Sequence, residues 1–143
     1  MWADVILHAE QQHVLYLLLW SAGSILAGTA VGVLVLARRQ VNTRLLGHFA
    51  AQTAAWGLAE LVAAAIEWHG LALRDLSATA RLEHSLWFGS GLALGVAAAG
   101  ATLATAGWRF GKHLGAVGSG CAVIVQSCAL LWLDLQLLAV VSR

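Results

Sequence analysis

The chain has 143 residues, of which 60% are hydrophobic and 10% are charged, and its formal net charge is +1. A soluble domain usually carries about a quarter charged residues, so the composition excludes an ordinary soluble domain, and the near-neutral charge excludes a nucleic-acid partner. The apolar residues form four runs that nearly exhaust the chain. Each run holds about 20 residues, enough to cross a bilayer as a helix.

Residues 1–12 mix apolar and polar side chains and precede the first run. We predict that they form a short helix at the membrane interface, anchored by Trp2 at the depth of the lipid headgroups. The first spanning helix is predicted over residues 14–36. Small residues recur at every fourth position on one face of this span: Ser24, Gly28 and Gly32. Such a face lets two helix backbones approach closely.

The second span, predicted over residues 49–68, carries Glu60 near its middle. A carboxyl group at that depth costs at least a few kcal/mol, so its presence requires a partner or a function. Glu67 lies seven residues further on, which returns to nearly the same face of the helix. Because lipid cannot satisfy a carboxyl group, this face should point into the bundle.

The third span is predicted over residues 84–106 and contains Gly91 and Gly95, a second pair of small residues spaced for close helix packing. The fourth span is predicted over residues 114–140. These elements together predict an all-α fold, a single domain in which four antiparallel transmembrane helices form a bundle.

Two polar side chains of the fourth span complete a predicted intramembrane polar cluster. Gln126 lies level with Glu60, and Asp134 lies about 12 Å further along the helix, beside Glu67. One interpretation is structural: Glu60 is neutral and hydrogen-bonded to Gln126 or to a hydroxyl on a neighbouring helix, which fixes the helix register. The other is functional: Glu60, Glu67 and Asp134 form a proton or cation pathway.

The basic residues of the loops concentrate at one end of the predicted bundle: Arg38, Arg39, Arg44, Arg109 and Lys112. The positive-inside rule places that end in the cytoplasm. Both termini would then lie on the outer, periplasmic side of a bacterial inner membrane.

The chain also has six histidines, most of them near predicted helix ends. His48 and His69 are about 31 Å apart along the second helix, so haems held by paired histidines would lie at the membrane surfaces. A haem-binding electron carrier stays open as an alternative, although no cofactor is predicted. His69 and His84, with Glu83, are the residues that a metal site would use, but no metal is predicted either.

No nucleophile elbow, phosphate-binding loop or zinc-protease motif occurs, so we do not expect an enzyme. The leading hypothesis is a membrane protein of unknown biochemical function that associates with itself or serves as an accessory subunit of a larger membrane complex. Its abundant small-residue faces and its small extramembrane surface favour this hypothesis. The alternative is a small proton- or cation-coupled transporter or channel that uses Glu60.

Glycine, aromatic and polar residues follow a recognisable pattern on the second to fourth spans: Trp56, Gly57, Phe88, Gly91, Leu92, Gly95, Gly118, Gly120, Gln126, Leu130 and Asp134. In this pattern the chain resembles a bacterial family of four-helix membrane proteins known as a domain of unknown function. The resemblance covers about residues 45–138. It implies four spanning helices, and it supplies no substrate, cofactor or partner.

The chain departs from that family pattern at three positions on the third span. Gly89, Ala93 and Val96 stand where the pattern has Asn, Asp and Tyr. If those polar residues carry an activity in the family, this chain lacks it.

Overall fold

The computed structural model describes residues 2–38 and 43–142. Within that part of the chain there are four α-helices and no strand. The helices are α1 (Trp2–Arg38), α2 (Thr43–His69), α3 (Leu76–Arg109) and α4 (Leu114–Val141). Each is long and apolar enough to cross a membrane. The predicted all-α fold with four membrane-length helices is therefore confirmed.

The N-terminal segment differs from its prediction. α1 runs without a break from Trp2 to Arg38, so no separate interfacial helix precedes the first span. The physical reason is that no glycine or proline occurs before Gly23 to interrupt the helix. The side chain of Trp2 and the whole of Arg39, on which the anchor and orientation predictions partly rested, lie outside the described residues.

α3 begins well before residue 84 because Asp75 caps it. The Asp75 carboxylate accepts a hydrogen bond from the backbone N–H of Ala78 at 2.7 Å and another from the Ser77 hydroxyl at 2.9 Å. These two bonds, the backbone one first, hold the pKa of the Asp75 carboxyl below its usual value. The loop that joins α2 to α3 is consequently short, residues 70–75, and we call its side of the molecule the α2–α3 loop end.

The four helices are arranged as two closely packed pairs. α1 packs along α2, and α3 packs along α4, while α4 also contacts α1 and α2. Among the described helices, no Cα atom of α3 lies within 8 Å of one in α1 or α2. α3 is therefore attached to the bundle through α4, and a gap opens between α2 and α3.

Glycine sets the closeness of both pairs. A Cβ atom at Gly28 would lie 2.7 Å from the Ala50 oxygen and from the Ala54 nitrogen, both backbone atoms of α2. A Cβ atom at Gly120 would lie 2.5 Å from the backbone oxygen of Gly100 on α3. No real Cβ tolerates such contacts, so each pair packs at a distance that only glycine permits.

The small residues predicted for helix packing have different surroundings. Ser24 lies against the position of Gly57, and Gly32 approaches Ala50 more loosely than Gly28 does. Nothing lies within 4 Å of a Cβ atom built on Gly91 or Gly95. These two glycines therefore do not pack closely against another of the described helices, because α3 turns Gly100 and Gly107 towards α4 instead.

Candidate functional site

A cleft fills the gap between α2 and α3. Two adjoining cavities of about 460 and 450 Å³ compose it, and they share four lining residues: His13, Glu67, Gly89 and Asp134. The first cavity reaches Arg74 at the α2–α3 loop end, and the second reaches Trp56 and Glu60 near the middle of α2. We call this continuous space the acidic cleft, after its four carboxyl side chains: Glu10, Glu60, Glu67 and Asp134.

α1 contributes two polar groups to the cleft, Glu10 and His13. Both side chains are buried, and they continue a buried face of α1 that includes Ile6 and Leu17. These positions are separated by three to four residues, the spacing of one helix face. The face that packs α1 onto its neighbours thus carries an acid and an imidazole towards the same space as Glu67.

His13 lies close to two of the carboxyl groups of the cleft. Its Nδ1 is 3.3 Å from the Leu133 carbonyl oxygen, which can only accept, so Nδ1 carries a hydrogen. Its Nε2 is 3.8 Å from Glu67 Oε2 and 3.8 Å from Asp134 Oδ1. A bare Nε2 lone pair facing two carboxylates is repulsive. The electrostatic interaction of His13 with Glu67 and Asp134 is favourable only when a further proton lies on Nε2 or on one of the two carboxyl groups.

An ion pair lies at the mouth of the cleft. The Arg74 Nε donates to Glu10 Oε1, which joins the α2–α3 loop to α1. The other oxygen, Glu10 Oε2, is buried without a hydrogen-bond partner among the described residues. Because Arg74 offsets the charge of Glu10, the carboxyls deeper in the cleft have only His13 as a basic neighbour in the lining.

Glu60 forms the deep end of the cleft. Its side chain belongs to a residue that is 3% exposed, and neither carboxyl oxygen has a hydrogen-bond partner in the described part of the chain. Trp56 lies one helical turn away on the same wall, with Leu92 and Val96 across the cleft on α3. A buried carboxyl group without a partner is costly, so this one calls for something that enters from outside the chain.

Gln126 is not the partner of Glu60. Its Oε1 accepts from the Trp20 indole N–H at 2.6 Å, and its amide nitrogen donates to the Ser24 hydroxyl at 3.1 Å. The hypothesis of a Glu60–Gln126 hydrogen bond is therefore wrong. The two residues lie at similar depth, but Gln126 points towards α1 and Glu60 points into the cleft.

Of the predicted polar cluster, the structure brings Glu60, Glu67 and Asp134 into one cleft and places Gln126 elsewhere. The contributions of Glu10, His13 and Arg74 were not predicted from the sequence. For Glu10 a signal existed, because it falls on the same helix face as the apolar residues that bury α1. For Arg74 there was none, since a loop residue carries no periodicity.

The residues that a metal site would have used are not grouped as metal ligands in the structure. Among the described residues, no group of three or more His, Cys, Asp and Glu side chains is placed to hold a metal ion, so the set of His69, His84 and Glu83 does not form a site. His48 and His113 line a separate cavity at the opposite end of the bundle, with Arg44 and Lys112.

The model of a family of unknown function, DUF6992, matches residues 16–135, which is most of the chain. The chain belongs to this family. The family resemblance predicted from the sequence is thus confirmed, and the match begins within α1, ahead of the predicted residues 45–138. Curated proteins and solved structures yield no match.

The three positions of α3 singled out in the sequence all line the cleft. Gly89, Ala93 and Val96 form much of the wall that α3 contributes. Gly89 also lets Asp134 approach, because a Cβ atom there would lie 3.1 Å from Asp134 Oδ2. In this chain the wall opposite Glu60 is therefore apolar, and the acidic groups come from the other three helices.

Proposed function

We propose that this DUF6992 chain is a small proton- or cation-coupled membrane transporter in which Glu60 is the coupling group. In this proposal the four helices cross a bacterial inner membrane as an antiparallel bundle. The contacts of Gly28 with Ala50 and Ala54, and of Ser24 with Gly57, support the antiparallel course of α1 and α2. The family itself has no established function, so the proposal rests on the cleft.

The orientation in the proposal puts the α2–α3 loop end on the periplasmic side. The basic residues Arg44, Arg109 and Lys112 all lie at the opposite end, which favours the cytoplasm for that end. Both termini of the described chain then face outwards, and the residues before Val14 extend α1 towards the membrane interface. The cleft opens to the periplasm under this orientation.

The observation that carries the proposal is the Glu60 carboxyl group. It is buried at membrane depth, lacks a hydrogen-bond partner among the described residues, and lines a cleft that leads to one end of the bundle. Further from that end, α3 and α4 close together at Gly100 and Gly120. Ionisable groups in such positions mark proton and cation routes in membrane proteins.

Proteoliposomes loaded with a pH-sensitive dye provide the test. Adding Na⁺, K⁺ or an organic cation outside should change the internal pH faster with the wild-type chain than with empty vesicles, because entering cation displaces the proton of Glu60. Glu60→Gln should reduce the flux to that of empty vesicles. Glu83→Gln is the matched control, since it makes the same chemical change outside the cleft and should transport normally.

Two results would contradict the transport proposal. One is a wild-type chain, folded and inserted, that moves protons in response to none of these cations. The other is a flux that persists unchanged in both Glu60→Gln and Glu60→Ala.

A second candidate function, self-association or service as an accessory subunit, is favoured by the free face of α3. Gly91 and Gly95 have open space where a Cβ would be, and Phe88 beside them is 74% exposed. We propose that α3 of a second copy packs there, as small-residue helix faces do in membranes. Crosslinking in native membranes should then capture a homodimer, and Gly95→Leu should abolish it, while Gly23→Leu on α1 should not. A monomer at every concentration would contradict this candidate.

A further inference from the structure

We propose that the acidic cleft binds an organic ammonium ion, with the charged nitrogen beside Glu60 and the apolar substituents against the walls contributed by α1, α3 and α4. This inference rests on the proposed function and specifies its substrate class. Its starting point is the same unpartnered Glu60 carboxyl, which is 3% exposed and lines the deeper cavity.

The charge of the cleft selects a cation. Four carboxyl side chains line it, against one guanidinium, Arg74, which is already paired with Glu10. His13 stands between Glu67 and Asp134 and can offset only one of them. The carboxyl groups that lie beyond the Glu10–Arg74 pair therefore favour entry of positive charge and repel anions.

The walls around Glu60 select an organic cation over a bare metal ion. A metal ion requires several oxygen or nitrogen ligands at short range, and no group of three or more His, Cys, Asp and Glu in the described chain is placed to supply them. The surroundings of Glu60 are instead largely apolar, with Leu17, Leu92 and Val96 among the lining residues. A quaternary ammonium ion, which has no N–H group to satisfy, needs no further ligands, and its hydrocarbon substituents gain from these walls.

Trp56 supplies a second group suited to ammonium. It lies four residues before Glu60, so the two side chains are neighbours on one face of α2, and both line the same cavity. An indole ring attracts a cation placed over its face, most strongly where water is excluded. The cavity holds about 450 Å³, within the range of pockets that enclose small organic ligands.

Binding and proton release are balanced in this scheme. Neutral Glu60 loses its carboxyl proton to the aqueous side through the cleft, and the resulting carboxylate forms an ion pair with the ammonium nitrogen. No covalent bond to the ligand forms or breaks. One positive charge enters for each one that leaves, so the buried site never holds an isolated carboxylate.

The test is equilibrium dialysis of radiolabelled hexyltrimethylammonium against the full chain in detergent, with protein-free micelles as the blank. We expect saturable binding that weakens by at least about tenfold in Glu60→Gln, because the ion pair is lost. Glu83→Gln, outside the cleft, should bind as the wild type does. Trp56→Leu should weaken binding about three- to thirtyfold, and Trp56→Phe, which keeps an aromatic face, should weaken it less.

Competition separates the ammonium charge from mere hydrophobicity. Choline should displace the label at concentrations at which 3,3-dimethylbutan-1-ol, its uncharged carbon isostere, and Na⁺ do not. Equal competition by the uncharged alcohol, or binding that is unchanged in Glu60→Gln, overturns the inference. If Na⁺ or K⁺ drives proton flux but no ammonium binds, the substrate class is wrong and the transporter proposal stands. If ammonium binds at Glu60 and nothing is transported, the site stands and the transporter proposal fails.

Discussion

The two ends of the bundle are built on opposite principles. Away from the α2–α3 loop, glycine lets the helices of each pair touch backbone to backbone, as at Gly28 with Ala50 and at Gly120 with Gly100. Towards the loop, the space between α2 and α3, which do not contact each other, holds carboxyl groups without full hydrogen-bond pairing, including Glu60. Small residues therefore determine the helix packing at one end of the bundle, and polar groups without full hydrogen-bond pairing lie at the other end.

We expect the largest loss of stability from a substitution at the tightly packed end of the bundle. Gly120→Ala puts a Cβ 2.5 Å from the Gly100 oxygen and 2.7 Å from the Ala104 nitrogen, both backbone atoms that cannot move away alone. We expect a loss of stability of about 1–3 kcal/mol or more, measured by unfolding in mixed micelles. Gly23→Ala is the control, because nothing lies within 4 Å of its added Cβ. Equal stability of the two variants would refute the account of α3–α4 packing.

We expect the next largest loss of stability in the hydrogen-bonded network formed by Trp20, Ser24 and Gln126. Gln126→Leu keeps the approximate side-chain volume but leaves the Trp20 N–H and the Ser24 hydroxyl without their partner. We expect a destabilisation of about 1–2 kcal/mol in the same unfolding assay. Gln136→Leu, at an exposed position of the same helix, should change stability little. A double-mutant cycle with Trp20→Phe should show the Trp20–Gln126 coupling, and additive effects would contradict it.

Glu60 should behave in the opposite way to Gln126. Glu60→Leu removes a buried carboxyl group that has no partner among the described residues, so it should leave stability unchanged or raise it by about 1 kcal/mol. The same unfolding assay measures this, with Glu83→Leu as the control outside the cleft. A clear destabilisation by Glu60→Leu would show that Glu60 supports the fold, and the contrast between the two ends would then be wrong.

The smallest effect is at the loop end, where Asp75 caps α3. Asp75→Asn keeps an acceptor oxygen but removes the charge, so α3 should begin less stably at neutral pH. Because the pKa of Asp75 is lowered in the folded chain, the stabilisation is present above the usual Asp value of about 3.9 and is lost as the pH falls through the lowered pKa. Thermal unfolding should therefore separate wild type from Asp75→Asn at pH 7, and the difference should shrink at acidic pH. A difference that is constant with pH would contradict this.

Much of the fold followed from the sequence, because apolar runs of membrane length leave few alternatives to helices. The presence of Glu60, Glu67 and Asp134 at related depths was also predictable, since helical rise converts sequence position into depth. The direction in which each side chain points around its helix was not. Gln126 and Glu60 share a level, yet one faces α1 and the other the cleft, and only the packing of α4 decides this.

The faces on which the helices pack against one another could not be predicted from the sequence either. Gly91 and Gly95 have the spacing of a packing face, but α3 presents Gly100 and Gly107 to α4. Glycines four and seven residues apart both fall on one face of a helix, and the choice between the two pairs depends on the partner surface that α4 offers. The gap that becomes the cleft follows from that choice, so no periodicity within α3 alone predicts the site.

Labelling of Glu60 by a membrane-permeant carbodiimide tests whether the cleft exchanges a proton for an organic cation. Such reagents modify protonated carboxyl groups in apolar surroundings, and peptide mass spectrometry locates the modified residue. We expect that Glu60 is labelled in the ligand-free protein and that hexyltrimethylammonium protects it, whereas the uncharged 3,3-dimethylbutan-1-ol does not. A Glu60 that stays unlabelled in the free protein, or that is labelled equally with and without the ammonium ion, would contradict the claim that this cleft exchanges a proton for an organic cation.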